Sequence, residues 1–146
     1  MSLFNSLSVS ASGMTAQRQR AEVLVENIAN ADTTRTANGG PYQRQDVVFE
    51  AQPVGQPFSS VFQAQLDNQP QGVAISQVVV DQSAPDKRYL PGHPDADAEG
   101  YVSYPDINPL TEMVDLMGAT RAYGLNGSAV QAEKGMITSA LEIAKP

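Results

Sequence analysis

Residues 3–29 read LFNSLSVSASGMTAQRQRAEVLVENIA, and residues 108–143 read NPLTEMVDLMGATRAYGLNGSAVQAEKGMITSALEI. These two stretches decide the fold. In the first, Leu3, Leu7, Ser10, Met14, Gln17, Ala21, Leu24 and Ile28 recur at steps of four and three, a heptad stripe with small or polar members at Ser10 and Gln17. A weaker line of Phe4, Ala11 and Val25 runs beside it. A helix ending at Ala29 would be roughly 43 Å long, and the run Asn30-Ala31-Asp32-Thr33-Thr34 stops it. The second stretch opens with Asn108 as a cap, Pro109 at the first helical position and Glu112 in the first turn, where the helix dipole favours an acid. Met113, Leu116, Thr120, Tyr123, Gly127, Val130, Lys134, Ile137, Leu141 and Ala144 then keep the three-four spacing. Leu125, Ala129, Ala132, Met136, Ala140 and Ile143 form a second stripe on another face. A helix of about 35 residues, apolar on two faces, needs more than one neighbour.

Composition separates these ends from what lies between them. Residues 1–36 carry 3 − 3 = 0 formal charges, residues 37–109 carry 3 − 9 = −6, and residues 110–146 carry 3 − 4 = −1, which together make the chain's −7. Nine of the ten prolines fall between Pro41 and Pro109, so the ends can be long helices and the middle cannot. The middle reads as strands and turns. Asn38-Gly39-Gly40-Pro41 is a turn, followed by a strand through Val47, Val48 and Phe49. Phe58–Leu66, the alternating Val73–Val79 and Gly100–Tyr104 are further strand candidates, whereas the proline-rich Ala84–Glu99 reads as extended loop. The expectation is an α+β fold: two long terminal helices packed as a coiled-coil-like pair, with a small, irregular β-rich insert. The segments are 1–36, 37–109 and 110–146.

The same composition is poor for chemistry. There is no cysteine, which excludes disulfides, thiolate zinc sites and thiol catalysis, and His93 is the single histidine. An acidic chain lacks the basic face that nucleic acid requires. No apolar run reaches the roughly 18 residues of a membrane span. The first dozen residues have no Lys or Arg before their apolar positions, so they do not read as a Sec signal peptide. His93-Pro94-Asp95-Ala96-Asp97-Ala98-Glu99 offers three carboxylates at alternate positions, but such Asp/Pro strings are ordinary turns and the ligand set of a calcium loop is incomplete. No P-loop, dinucleotide loop or nucleophile elbow is present. No catalytic residue, cofactor or metal is therefore expected. Asn27 and Asn30, three apart at a helix end, suit either docking to neighbouring backbone or a polar cap. Gly118, Gly124, Gly127 and Gly135 each cost a helix roughly 1 kcal/mol against alanine. They fit either close helix approach or a helix that orders on assembly.

Ser12-Gly13-Met14-Thr15-Ala16-Gln17 and Asn27-Ile28-Ala29-Asn30-Ala31-Asp32-Thr33 resemble the signature of the bacterial flagellar basal-body rod proteins. Pro41-Tyr42-Gln43-Arg44, Tyr89 to Asp97, Gly100-Tyr101-Val102, Glu112-Met113-Val114 and Ala119 to Tyr123 extend the resemblance nearly end to end, and most closely to the proximal-rod branch. It implies a structural subunit, not an enzyme, exported by the flagellar type III apparatus without a Sec signal and polymerised into the rod that crosses the periplasm. The implied partners are further copies of the chain, rod proteins of the FlgB, FlgF and FlgG types, the rod-base junction protein and the export apparatus. The packing residues expected for such a subunit are Leu3, Leu7, Met14, Leu24, Asn27, Ile28, Asn30, Met113, Leu116, Tyr123, Val130, Ile137 and Leu141. The rival reading is a self-contained helical-hairpin adaptor, or a secreted coiled-coil protein, whose two stripes satisfy each other within one chain.

Overall fold

The structure is a computed structural model and describes residues 3–53 and 71–143. The element order is α1 (Leu3–Ala29), β1 (Gln45–Pro53), β2 (Gln71–Val80), β3 (Asp86–Tyr89), β4 (Tyr101–Tyr104) and α2 (Pro109–Ile143). An α+β architecture with long terminal helices around a small strand insert is what the charge and proline distribution required. Asn108 caps α2 as expected, its Oδ1 accepting from the Leu110 N–H at 3.0 Å. The strand candidate at Phe58–Leu66 and the Leu3 side chain lie outside the described residues.

By contacts the chain groups into two compact units. One comprises Met1–Gln19, Val48–Gln77 and Ala119–Pro146; the other comprises Arg20–Val47 and Val78–Gly118. In the first, Ala16, Ala119 and Glu133 are buried. A Cβ built on Gly13 would stand 3.1 Å from Asn126 Oδ1, so this α1 glycine is where the two helices come close. Among the described residues no such neighbour lies within 4 Å of Gly118, Gly124, Gly127 or Gly135, so close approach within that part of the chain does not account for the α2 glycines. The Val73 N–H donates to Ser12 Oγ at 3.1 Å, tying β2 to α1.

The second unit has Leu24, Asn27, Ala31, Val102 and Glu112 at its centre. Residues 84–99 are not loop throughout, because Asp86–Tyr89 forms β3 and pairs antiparallel with β4, Asp86 opposite Tyr104 and Tyr89 opposite Tyr101. The charged run Asp86-Lys87-Arg88 hid this strand, since every β3 residue is exposed and leaves no apolar alternation to read. Side chains hold the ribbon instead: Tyr89 meets Tyr101 edge-on with centroids 5.3 Å apart, and the Arg88 guanidinium lies 4.6 Å from the Tyr104 ring centre.

Gly100 closes the loop before β4 with φ +85°, and a Cβ there would fall 2.9 Å from the Tyr89 ring. Gly100→Ala should therefore cost about 1–3 kcal/mol, from left-handed backbone strain plus displacement of that ring. The denaturant midpoint reads this, and an unchanged midpoint would contradict the geometry.

Candidate functional site

Asn27 lies in the last turns of α1 and is completely buried. An amide there must use both its donors and both its acceptor sites or lose stability. It does use them. Nδ2 donates to the Gln45 carbonyl at 2.8 Å and to Glu112 Oε2 at 3.0 Å. Oδ1 accepts from the Gln45 N–H at 2.9 Å and from the Tyr42 hydroxyl at 3.2 Å. The side chain thus takes both main-chain hydrogen bonds of Gln45, as a neighbouring strand would, where β1 begins. Asn30 behaves as a cap: its Nδ2 donates to the Glu26 carbonyl at 2.9 Å and its Oδ1 accepts from the Thr33 hydroxyl at 3.1 Å. Each of the two roles open to the amide pair is filled, one by each residue.

Glu112 completes the cluster. Its side chain is 2% exposed, and its second carboxylate oxygen accepts from Arg44 Nε at 2.7 Å. The hydrogen bond to Glu112 raises the Arg44 guanidinium above its usual range, more than burial lowers it. Three segments distant in sequence (residue 27, residues 42–45 and residue 112) therefore meet in one closed polar junction. Beside it, Arg20 and Asp115 sit 3.6 Å apart, both about one-third exposed, a contact worth at most about 1 kcal/mol.

Burial, followed by the charges of Glu26 and Glu112, raises the Tyr42 phenol above its ordinary value. A raised folded-state value means that this contribution to stability is complete below the unfolded phenol's value of about 10 and is lost as pH rises through the folded one. A near-ultraviolet titration of the five tyrosines should show a late component that Tyr42→Phe removes. Loss of amplitude only in the ordinary phenol range would place Tyr42 in ordinary solvent.

α2 presents the opposite chemistry along its length. The line it buries is small or polar: Glu112, Ala119 and Glu133 are buried, and Ala122, Asn126 and Ala129 are half-buried. Most of its large apolar residues are exposed: Leu110, Met113, Val114, Met117, Leu125, Met136, Leu141 and Ile143, with Ile143 at 86%, while Leu116, Val130 and Ile137 are half-buried. The inward line is offset by one residue from the Met113–Leu141 stripe.

Of the packing residues expected from sequence, Leu24 and Asn27 are covered by their own chain. Leu7, Met14, Ile28, Asn30, Leu116, Val130 and Ile137 are half-buried, whereas Met113, Tyr123 and Leu141 are exposed. Arg44, Gln45 and Tyr42 were missed as junction members; a lone Arg just before a strand carries no periodic signal. In the His93 loop, the Asp95 N–H donates to His93 Nδ1 at 3.1 Å, Asp95 accepts from the Thr34 hydroxyl at 2.9 Å, and Asp97 accepts from the Glu99 and Tyr101 N–H groups. These groups shape and anchor the loop. Among the described residues no three His, Asp or Glu side chains converge as a metal site, and no helix is long and apolar enough to cross a membrane.

Two family models match this architecture at its ends: "Flagella basal body rod protein" over residues 7–35 and "Flagellar basal body rod FlgEFG protein C-terminal" over residues 98–143. The class is thus a structural protein of the flagellar basal-body rod, not an enzyme. Curated relatives narrow it. The chain is 46% identical to the flagellar basal-body rod protein FlgC of Bacillus subtilis, over 99% of this chain and 100% of that protein. It is 42% identical to FlgC of Borreliella burgdorferi, over 98% of each, and 35% identical to FlgC of Escherichia coli O6:H1, over 98% of each. The chain belongs to the FlgC family of flagellar basal-body rod proteins.

Proposed function

We propose that this rod subunit is exported through the flagellar type III apparatus and polymerises into the proximal rod across the periplasm. Its neighbours there are rod proteins of the FlgB, FlgF and FlgG types and the rod-base junction protein. Segments 1–36 and 110–146 form the inner helical layer of the polymer, and segment 37–109 lies outside it. The observation that carries this reading is the inverted burial of α2, which covers Glu133 and Asn126 with its own chain while leaving Leu125, Met136, Leu141 and Ile143 exposed. A monomer gains nothing from that arrangement, since apolar area is stabilising only when removed from water. A polymer gains it at every subunit. Heterologous packing repeated along an axis gives a filament whose many weak contacts carry torque together.

The packing residues divide accordingly. Met113, Tyr123 and Leu141 meet neighbouring subunits, Leu24 and Asn27 hold the subunit's own fold, and the half-buried Leu7, Met14, Ile28, Asn30, Leu116, Val130 and Ile137 contribute to both. A self-contained hairpin adaptor would instead have its large apolar residues inside. The test is a charge on the exposed face, Leu125→Glu or Leu141→Glu. The chain should keep its thermal midpoint, fail to enter isolated basal bodies and leave the cells non-motile. Motile cells with normally incorporated variant protein would refute the assignment.

A further inference from the structure

The sequence contains the dipeptide Asn-Gly twice, at Asn38–Gly39 and at Asn126–Gly127, and the fold treats the two differently. Asn-Gly is the dipeptide most prone to spontaneous deamidation, because glycine puts no side chain in the way of its own nitrogen. That nitrogen attacks the Asn Cγ, a new N–Cγ bond forms, the Cγ–Nδ2 bond breaks and ammonia leaves. Water then opens the cyclic imide at either carbonyl, leaving aspartate or isoaspartate; no oxidant or reductant takes part. The backbone must be able to bring the two atoms together.

We propose that Asn38–Gly39 is a spontaneous modification site and that Asn126–Gly127 is the same chemistry held inert by the fold. Asn38 is exposed in the turn between α1 and β1, where Gly39 and Gly40 have φ +81° and +78° and a Cβ built on either would meet nothing within 4 Å among the described residues. The attacking nitrogen is held by one turn hydrogen bond, from the Gly39 N–H to the Thr36 carbonyl at 3.0 Å, and the Thr36 N–H donates back to the Gly40 carbonyl at 2.8 Å. A short exposed turn closed by these two bonds opens far more readily than the interior of a helix. At the other site Gly127 lies well inside α2, so attack requires the helix to unwind. Asn126 is also half-buried: its Nδ2 donates to the Ala122 carbonyl at 2.9 Å, and its side chain packs against Gly13 of α1. Conversion at Asn38 adds a negative charge in either product, and in isoaspartate an extra main-chain carbon as well, to the turn that delivers Tyr42, Arg44 and Gln45 to the polar junction.

Trypsin separates the two sites, since cleavage after Arg35 and Arg44 releases residues 36–44 and cleavage after Arg121 and Lys134 releases residues 122–134. The full-length chain is aged in warm, mildly alkaline buffer with and without urea, then digested. In native buffer peptide 36–44 should gain one mass unit and split into aspartyl and isoaspartyl forms, at a rate within about threefold of that in urea. Peptide 122–134 should convert at least about tenfold more slowly than in urea. Asn38→Gln should abolish the first signal and leave the second unchanged. Peptide 36–44 staying unmodified in native buffer while converting in urea would overturn the site. Equal rates for peptide 122–134 in the two buffers would overturn the protection.

Discussion

Arg44→Met should lower the unfolding free energy by about 3–5 kcal/mol, because it strands a buried carboxylate. Glu112 is 2% exposed, and without Arg44 one of its oxygens keeps no charged partner. A second change, Glu112→Gln, replaces that carboxylate by a neutral amide of the same shape. It should return a substantial part of the loss, so the double variant is more stable than Arg44→Met alone. Urea titration of the four proteins of this cycle measures the coupling directly. Additive losses would mean that the 2.7 Å contact contributes nothing beyond its two ends. The sign discriminates, because an ordinary surface pair of this kind is worth at most about 1 kcal/mol.

A charge on the outer face of α2 has the opposite signature. Leu125 and Leu141 are each about two-thirds exposed, so Leu125→Glu or Leu141→Glu should move the stability of the free chain by no more than about 0.5 kcal/mol. If the outer face of α2 is the subunit contact proposed above, the same glutamate is enclosed without a partner at every subunit of the rod, a cost of several kcal/mol each time. The expected result is a folded, soluble protein absent from purified basal bodies, in cells that do not swim. Leu24→Asp cannot make this distinction, since Leu24 is buried in its own chain and the change would unfold it. A normal swimming halo from Leu125→Glu cells would move the contact surface elsewhere.

The long elements were legible because their signals are local. A cap at Asn108, Pro109 at the first helical position and three-four spacing describe α2 without reference to the rest of the chain, and the turn at Asn38–Pro41 was equally explicit. Two things were hidden. β3 is a charged, fully exposed strand whose existence depends on pairing with β4, so no periodicity betrays it. The polar junction depends on residues 27, 44 and 112 meeting in space, and nothing in the spacing of a single Asn, a single Arg and a single Glu announces that. Glu112 looked like a dipole partner in a first turn, which it also is. The apolar stripes were visible as spacing; which face each helix turns toward its own chain was not in the pattern, since a stripe and a line one residue away differ by only about 100° around the helix.

Asn27 grips Gln45 through the peptide group and not through the side chain. Every residue except proline has that N–H and that carbonyl, so the strand side of this contact is indifferent to sequence while the helix side is not. Aspartate at 27 would offer two acceptors and no donor, facing a carbonyl and a carboxylate that both need one. The instruction for where β1 starts is therefore written in the helix, and position 45 is left free to vary.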